Sequence, residues 1–236
     1  MDIHKPKPWH GGGELLKEVG TIVIGVLIAL GAEQAVQGME WTHKIQAAEA
    51  AMRAELLFDD GPEVYQRAAM HDCLVTRLDA IRAGVETGMA RAELVRLIDG
   101  YHLAFLSYDT LAHDDATHAG VADHMSQASL DVWTKAYSMM PYMERANAEE
   151  ALEVGRLRAL RRTGGALSET EQAHVLDAVE GLRVQEVRMS AAAAWTLPEI
   201  RRLGPLDKGR MTRFLGDART WYGAACVKDL PVDWKG

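Results

Sequence analysis

The longest apolar run in the chain covers residues 19–32, VGTIVIGVLIALGA, and contains no charged residue. Apolar residues continue on both sides of it, and a helix from Lys17 to Trp41 rises about 36 Å at 1.5 Å per residue. That length is enough to cross a hydrocarbon core of about 30 Å. Trp9 and Trp41 flank the run, where interfacial aromatic residues are expected. We therefore predict a transmembrane helix over residues 15–41, with the lipid bilayer as its surroundings.

Two other interpretations of the run stay open. A cleaved signal peptide would find small residues at Ala29 and Gly31, the spacing that cleavage requires. Against this, the segment before the run is long, and Asp2 and Glu14 dilute its positive charge. A strictly apolar run this short is also typical of a buried core helix.

The basic residues near the run predict its orientation. Lys5, Lys7 and Lys17 precede it, whereas Lys44 and Arg53 are the first basic residues after it. Because cytoplasmic flanks carry an excess of Lys and Arg, the N-terminus is predicted in the cytoplasm. The predicted parts are a cytoplasmic segment, a transmembrane helix, a periplasmic helical bundle and an irregular tail: residues 1–14, 15–41, 42–222 and 223–236.

Small residues line one face of the predicted span. Gly25, Ala29 and Ala32 lie at i, i+4 and i+7 and so project from the same side of the helix. Small residues at this spacing let a second membrane helix approach closely. We predict that this face contacts a membrane-protein partner or a second copy of the chain.

Helical spacing of apolar residues dominates the remaining chain, and strand-like alternation is nearly absent. The first helix is expected to continue as a stalk to about Asp59 and to stop at Asp60-Gly61-Pro62. Pro141 is expected to kink or split a later helix. The helices predicted after the stop, apart from the one described next, cover approximately residues 63–82, 91–107, 127–162 and 206–222.

The most regular periodicity follows a capping box at Ser168-Glu169-Thr170-Glu171. Pro198 and then Gly204-Pro205 are expected to close this helix. One apolar seam, broken only by Glu186, runs along it: Val175, Val179, Leu182, Met189, Ala193, Thr196 and Ile200. A seam this long requires long partner helices. The predicted fold is all-α, an N-terminal transmembrane helix continuing into a stalk and followed by an antiparallel helical bundle.

The string from Glu18 to Leu30, EVGTIVIGVLIAL, followed by a polar pair, resembles the N-terminal segment of a family of uncharacterised bacterial single-pass membrane proteins. A more diffuse likeness extends through KPKPWHG and HDCLVTRL. Members often carry Asn-Asn-Trp after the apolar run, whereas this chain has Glu33-Gln34-Ala35. The resemblance implies an inner-membrane anchor in a Gram-negative bacterium and implies no activity.

Composition narrows the possible partners. The chain has 236 residues, of which 48% are hydrophobic, so it can form one domain of ordinary size in addition to an anchor. Its formal net charge is -8, and a nucleic-acid surface needs a concentrated basic face instead. We therefore expect no nucleic-acid partner.

Residues 109–125, DTLAHDDATHAGVADHM, are the richest in chemically reactive side chains. His113, Asp114 and His118 are the weak candidates for a metal site, because Asp114 and His118 share a helix face and imidazole and carboxylate suit zinc or iron. The alternative, which we favour, is a solvated polar helix. No cofactor, catalytic residue or metal site is predicted.

Cys73 and Cys226 are the only cysteines, and both follow the predicted span. In an oxidising periplasm they are expected to form a disulfide. The alternative is a pair of reduced, buried thiols that pack as small apolar groups.

Three functions from different classes remain open. The favoured one is a non-enzymatic accessory or assembly subunit of an inner-membrane complex, whose anchor packs on membrane helices and whose body docks in the periplasm. The second is a periplasmic sensing or ligand-binding bundle, with a pocket lined by Trp133, Met139, Met140 and Tyr142. The third is a metal-dependent hydrolase built on His113, Asp114 and His118.

Overall fold

The computed structural model describes residues 12–102, 106–162 and 164–230. These ranges are helical and contain no strand, so the all-α prediction is confirmed. Within them lie eight α-helices: α1 Gly12–Ala54, α2 Gly61–Glu86, α3 Arg91–Gly100, α4 Leu111–His118, α5 Gln127–Tyr137, α6 Met140–Arg158, α7 Glu169–Leu203 and α8 Lys208–Tyr222. A π-helical segment and three short 3-10 segments accompany them: Glu55–Asp60, Ala122–His124, Ala159–Arg162 and Ala224–Cys226.

The chain divides into two compact units, Met1–Ala47 and Ala48–Gly236. In the first unit, helix α1 carries the apolar run, and every large apolar side chain from Leu15 to Met39 is exposed. Among the described residues, one helix near the N-terminus is long and apolar enough to cross a membrane. The predicted cytoplasmic segment, including Trp9, lies outside the described residues except for residues 12–14.

The prediction that Asp60-Gly61-Pro62 ends a helix is wrong. A π-helical segment immediately precedes Pro62, and the N–H of Gly61 donates to the carbonyl of Leu56, five residues earlier. Pro62 then occupies the first turn of α2, where a missing N–H costs least. Before the proline, the backbone hydrogen bond spans five residues instead of four, and the helix continues into α2 instead of stopping.

Helices α2, α6 and α7 form the centre of the second unit, with the most extensive contacts between α2 and α7 and between α6 and α7. The predicted seam of α7 is buried along its length. The capping box at Ser168 is present, as predicted. Pro198 lies inside α7 and does not end it, so that prediction is wrong, and the helix ends before Gly204. The predicted bundle is compatible with this packing.

Of two further predictions about the helices, one is confirmed and one is not. Pro141 splits the predicted helix as expected, since α5 ends at Tyr137 and α6 begins at Met140. The helix expected to reach Ser107 ends instead at Gly100. Residues 106–110 are not helical, and carboxylates of other helices bind backbone N–H groups among them, as described below.

The structure pairs Cys73 of α2 with Cys226, with their Cα atoms 5.0 Å apart, as the sequence predicts. Residues just after Cys226 are also fixed to α2. The N–H of Lys228 donates to the carbonyl of Ala69 at 3.1 Å, and the N–H of Leu230 donates to the Tyr65 hydroxyl at 2.8 Å. The part of the predicted irregular tail up to Leu230 is therefore held on the bundle, and residues 231–236 lie outside the described residues.

Candidate functional site

The three weak metal candidates all lie on α4. His113 Nδ1 is 3.5 Å from Asp114 Oδ1, and the Thr110 hydroxyl donates to Asp114 at 2.8 Å. The hydrogen bond from Thr110 lowers the pKa of Asp114, with help from His113. Among the described residues, no group of three or more His, Cys, Asp or Glu side chains is placed to hold a metal ion. The structure therefore gives the metal hypothesis no set of three ligands among the described residues.

Two of the residues expected to line a pocket, Trp133 and Met140, are buried in the core. A cleft with a volume of about 220 Å³ lies between α6 and α7, lined by Tyr142, Arg145, Ala146, Glu149, Gln185 and Arg188. Of the four residues predicted to line a pocket, only Tyr142 reaches this cleft.

A buried polar network at the centre of the bundle is the main feature that the sequence did not reveal. Its position follows from the burial of the start of α2, where every residue from Gly61 to Met70 is buried except Glu63. A helix surrounded on all sides has no solvated face for a charged residue. Arg67 therefore points into the core, and its guanidinium needs partners there.

Two glutamates supply these partners. Arg67 Nη2 lies 2.7 Å from Glu186 Oε1 of α7 and 2.9 Å from Glu150 Oε2 of α6. The side chains of Arg67, Glu150 and Glu186 are only 1%, 0% and 1% exposed. The contact with Glu186 is a well-aligned hydrogen bond, whereas Glu150 Oε2 lies off the N–H direction and is only ion-paired. One guanidinium thus joins the three central helices.

Tyr101, the residue directly after α3, completes the network. Its hydroxyl lies 2.9 Å from Glu150 Oε1 and 2.9 Å from Glu186 Oε1. Burial raises the pKa of Tyr101 well above its usual value, and the two carboxylates raise it further. Tyr101 is therefore a neutral phenol with a single hydrogen.

The ionisation of the three charged groups is set by opposing effects. Burial alone would lower the pKa of Arg67, but Glu150 and Glu186 raise it, so that the guanidinium stays protonated. Burial raises the pKa of Glu150 despite the attraction of Arg67. Burial also opposes ionisation of Glu186, but Arg67, His71 and Tyr101 outweigh it and lower the pKa of that carboxyl.

His71 lies at the solvent side of the network. It stands one turn after Arg67 on α2, and its Nδ1 is 3.6 Å from Glu186 Oε2. Its side chain is 25% exposed, whereas the three charged members are almost fully enclosed. His71 is thus the member of the described network that reaches water.

A second set of carboxylates holds the segment after Tyr101. The N–H of Ser107 donates to Glu63 at 2.7 Å, that of Tyr108 to Glu144 at 3.3 Å, that of Asp109 to Asp60 at 3.1 Å and that of Ala112 to Glu55 at 2.9 Å. These bonds satisfy backbone donors that a helix would otherwise use internally. The N–H groups of Ser107, Tyr108 and Asp109 are therefore satisfied without a helix.

Burial controls the chemistry of this set. It raises the pKa of Asp60 to about 8 against the hydrogen bond from Asp109, with a further increase from Glu55. It raises the pKa of Glu63 to about 7. Asp60 Oδ2 is buried without a hydrogen-bond partner, whereas Asp60 Oδ1 accepts from the N–H of Asp109.

The three charged members of the central network are out of reach of a substrate in solution. A general acid or base must lie within hydrogen-bond reach of the reacting group. Arg67, Glu150 and Glu186 are enclosed by the three helices that carry them. What this arrangement can do is hold protons and fix the helices to one another. The chain matches no family model, no curated protein and no solved structure, so its function is argued from its own residues.

Proposed function

We propose that the protein is a non-enzymatic, membrane-anchored accessory subunit of an inner-membrane complex, with its N-terminus in the cytoplasm and its helical body in the periplasm. The observation that carries this proposal is the apolar span, whose large side chains are all exposed. Such a surface needs lipid or other membrane helices around it. The small-residue face of Gly25, Ala29 and Ala32 is exposed as well and offers a second helix a close approach.

The periplasmic placement is supported by the cysteines. The pair of Cys73 and Cys226 at bonding distance suits an oxidising compartment. A reporter that is active only in the periplasm, fused after Gly236, should therefore be active. Activity of a cytoplasmic reporter at the same position, with none from the periplasmic one, would reverse the topology.

Helix α7 supports docking by the body. Opposite its buried seam, an exposed apolar stripe follows the helix at i, i+3, i+7 and i+11: Val184, Val187, Ala191 and Trp195. Single exposed apolar residues are ordinary on a surface, but a continuous stripe is typical of a contact site. The core does not require these residues, so a partner would account for them.

The membrane contact is tested by Gly25→Leu, with Gly31→Leu as the matched control. Gly31 is six residues away, which places it roughly 120° around the helix from Gly25 at 100° per residue. Gly25→Leu should reduce disulfide or photochemical crosslinking to a neighbouring span, whether from a partner or from a second copy, without affecting insertion. Equal crosslinking in both variants would remove the evidence for a contact at this face.

The docking of the body is tested by Trp195→Ala against Trp221→Ala. Both tryptophans are 68% exposed, but Trp221 is on α8 and lies outside the stripe. Only Trp195→Ala should weaken association of the body in membranes with its native partners, measured by crosslinking from a photoreactive residue at Val187. An equal effect of the two changes would point to nonspecific apolar contact.

A further inference from the structure

We propose that Glu150 is a neutral carboxylic acid in the folded protein at neutral pH, and that the network of Arg67, Tyr101, Glu150 and Glu186 stores one proton at the centre of the bundle. This inference does not depend on the proposed accessory function. Three features of the network support it: the single hydrogen of the Tyr101 hydroxyl, the different contacts of the two glutamates, and the net charge of the enclosed group.

The Tyr101 hydroxyl has one hydrogen but contacts two glutamates. The Tyr101 oxygen lies 2.9 Å from an oxygen of Glu150 and 2.9 Å from an oxygen of Glu186. A phenol has one hydrogen to donate, whereas an ionised carboxylate only accepts. With both glutamates ionised, one of the two contacts would bring two acceptor oxygens together without a hydrogen between them. Both contacts are hydrogen bonds when one glutamate carries a proton and donates it to the Tyr101 oxygen.

The geometry assigns this proton to Glu150. Glu186 Oε1 accepts a hydrogen bond from Arg67 Nη2 at 2.7 Å, and its other oxygen faces His71. The hydrogen bond from Arg67 stabilises a negative charge on Glu186, whose Oε2 has no hydrogen-bond partner and lies 3.6 Å from His71 Nδ1. Glu150 Oε2 is near Arg67 but outside hydrogen-bond alignment, and Glu150 Oε1 meets only Tyr101. The proton then sits on Glu150 Oε1, and Tyr101 donates its own hydrogen to Glu186 Oε1.

The charge balance agrees with this assignment. Arg67 and an ionised Glu186 cancel, so a neutral Glu150 leaves the enclosed group without net charge. An ionised Glu150 would add an uncompensated negative charge at a side chain that is 0% exposed. Within the described part of the chain, the groups found to act on Glu150 besides Arg67 are Glu186 of α7, Tyr101, Tyr108, and Tyr222 of α8, and none of these is a second cation. Burial raises the pKa of Glu150, which supports the same conclusion.

The network also provides a route for this proton to exchange with water. His71 is partly exposed and faces Glu186, Glu186 shares the Tyr101 hydroxyl, and Tyr101 meets Glu150. Loss of the proton at high pH would place two carboxylates against one guanidinium and remove one hydrogen bond from Tyr101.

The test is infrared spectroscopy of the full-length protein in detergent micelles. A protonated carboxylic acid has a carbonyl stretch that is separate from the bands of a carboxylate. Glu150→Gln should remove one such band at pH 7. Glu186→Gln should also weaken it, because Glu150 is then the single carboxyl beside Arg67 and its ionisation balances the buried cation. Asp60→Asn serves to identify the band of Asp60, which also holds a proton in this range. No difference between wild type and Glu150→Gln would overturn the assignment.

Stability gives a second, independent measurement. Gln is an isostere of a protonated glutamate and can still donate to Tyr101, so Glu150→Gln should keep a urea midpoint close to that of wild type. Glu186→Gln removes the charge that balances Arg67 and should lower the midpoint. If Glu150→Gln does not fold, Tyr101→Phe decides, because removal of the acceptor should shift the Glu150 band without abolishing it. An unchanged band in Tyr101→Phe would refute the hydrogen bond on which the proposal depends.

Discussion

Arg67→Met tests whether the buried charges are balanced as the structure indicates. The change leaves the carboxylate of Glu186 enclosed without a cation, and removing one partner of a buried ion pair costs about 3–5 kcal/mol. At 1.4 kcal/mol per factor of ten, this raises the unfolded population by roughly two to three and a half orders of magnitude. Met has similar length and no charge, so the loss is electrostatic more than steric.

Arg82→Met is the matched control. Arg82 also lies on α2, and it pairs with Glu180, which like Glu186 lies on α7, but these side chains are 37% and 59% exposed. Exposed pairs of this kind contribute about 0.2–1 kcal/mol. The two variants therefore remove the same kind of ion pair between the same two helices and differ in burial.

The assay is urea unfolding of the full-length protein in lipid nanodiscs, followed by near-ultraviolet circular dichroism. With an m-value of about 2 kcal/mol/M, Arg67→Met should lower the midpoint by about 2 M and Arg82→Met by less than about 0.5 M. Adding Glu186→Gln to Arg67→Met removes the uncompensated charge and should raise the midpoint again. Equal midpoints for Arg67→Met and Arg82→Met, or no recovery in the double variant, would refute the charge balance.

Three further predictions concern other parts of the bundle. Because the pKa of Asp60 is about 8 in the folded protein and 3.8 in the unfolded one, the folded state binds more protons between these values. The free energy of unfolding should therefore fall as pH rises through that window, by up to about 1.4 kcal/mol per pH unit from this group. Asp60→Asn should flatten the pH profile of unfolding while Asp59→Asn, at an exposed carboxylate that faces Arg210, should not; the same slope in both would contradict this. Cys73→Ala should lower the free energy of unfolding by at most about 5 kcal/mol in the chain-entropy estimate, because the cysteines are 153 residues apart. Cys226→Ala should match it, whereas unequal effects or free thiols in unreduced protein would argue against the bond. Finally, His113→Ala with His118→Ala should leave the metal content of the purified protein unchanged by elemental analysis, and stoichiometric zinc or iron lost in this variant would restore the hydrolase hypothesis.

The features that the sequence predicted correctly are those set by local chemistry. The apolar span, the capping box at Ser168 and the split at Pro141 each depend on residues within a few positions of one another. The pairing of the cysteines followed from their number and from the expectation of an oxidising compartment. Pro62 lies in the first turn of α2, as its position predicts. Pro198 was interpreted less well, because a local rule predicts a break there, whereas α7 is continuous through it.

The candidate site could not be predicted because its members are distant in sequence. Glu186 was visible as the single charged residue in the apolar seam of α7, and that was the one available signal. Its partners Arg67 and Tyr101 are 119 and 85 residues away, and no periodicity joins them. A charged residue within a long apolar seam is therefore better interpreted as half of a buried pair than as a break in the pattern.

The network also suggests why charges remain in this core. Apolar residues alone let helices such as α2 and α7 slide or rotate, since one aliphatic contact resembles the next, whereas a guanidinium that must meet two carboxyls is satisfied in one register. Replacing the whole network with apolar residues, by Arg67→Met, Tyr101→Phe, Glu150→Leu and Glu186→Leu together, should keep or raise the free energy of unfolding, by about 1–4 kcal/mol in comparable cases. If the network selects the register, this variant should nevertheless lose near-ultraviolet dichroism and bind a hydrophobic dye, the signs of a core without unique packing. A variant that keeps the wild-type spectrum and unfolds cooperatively would show that the apolar seam of α7 specifies the register without the charges.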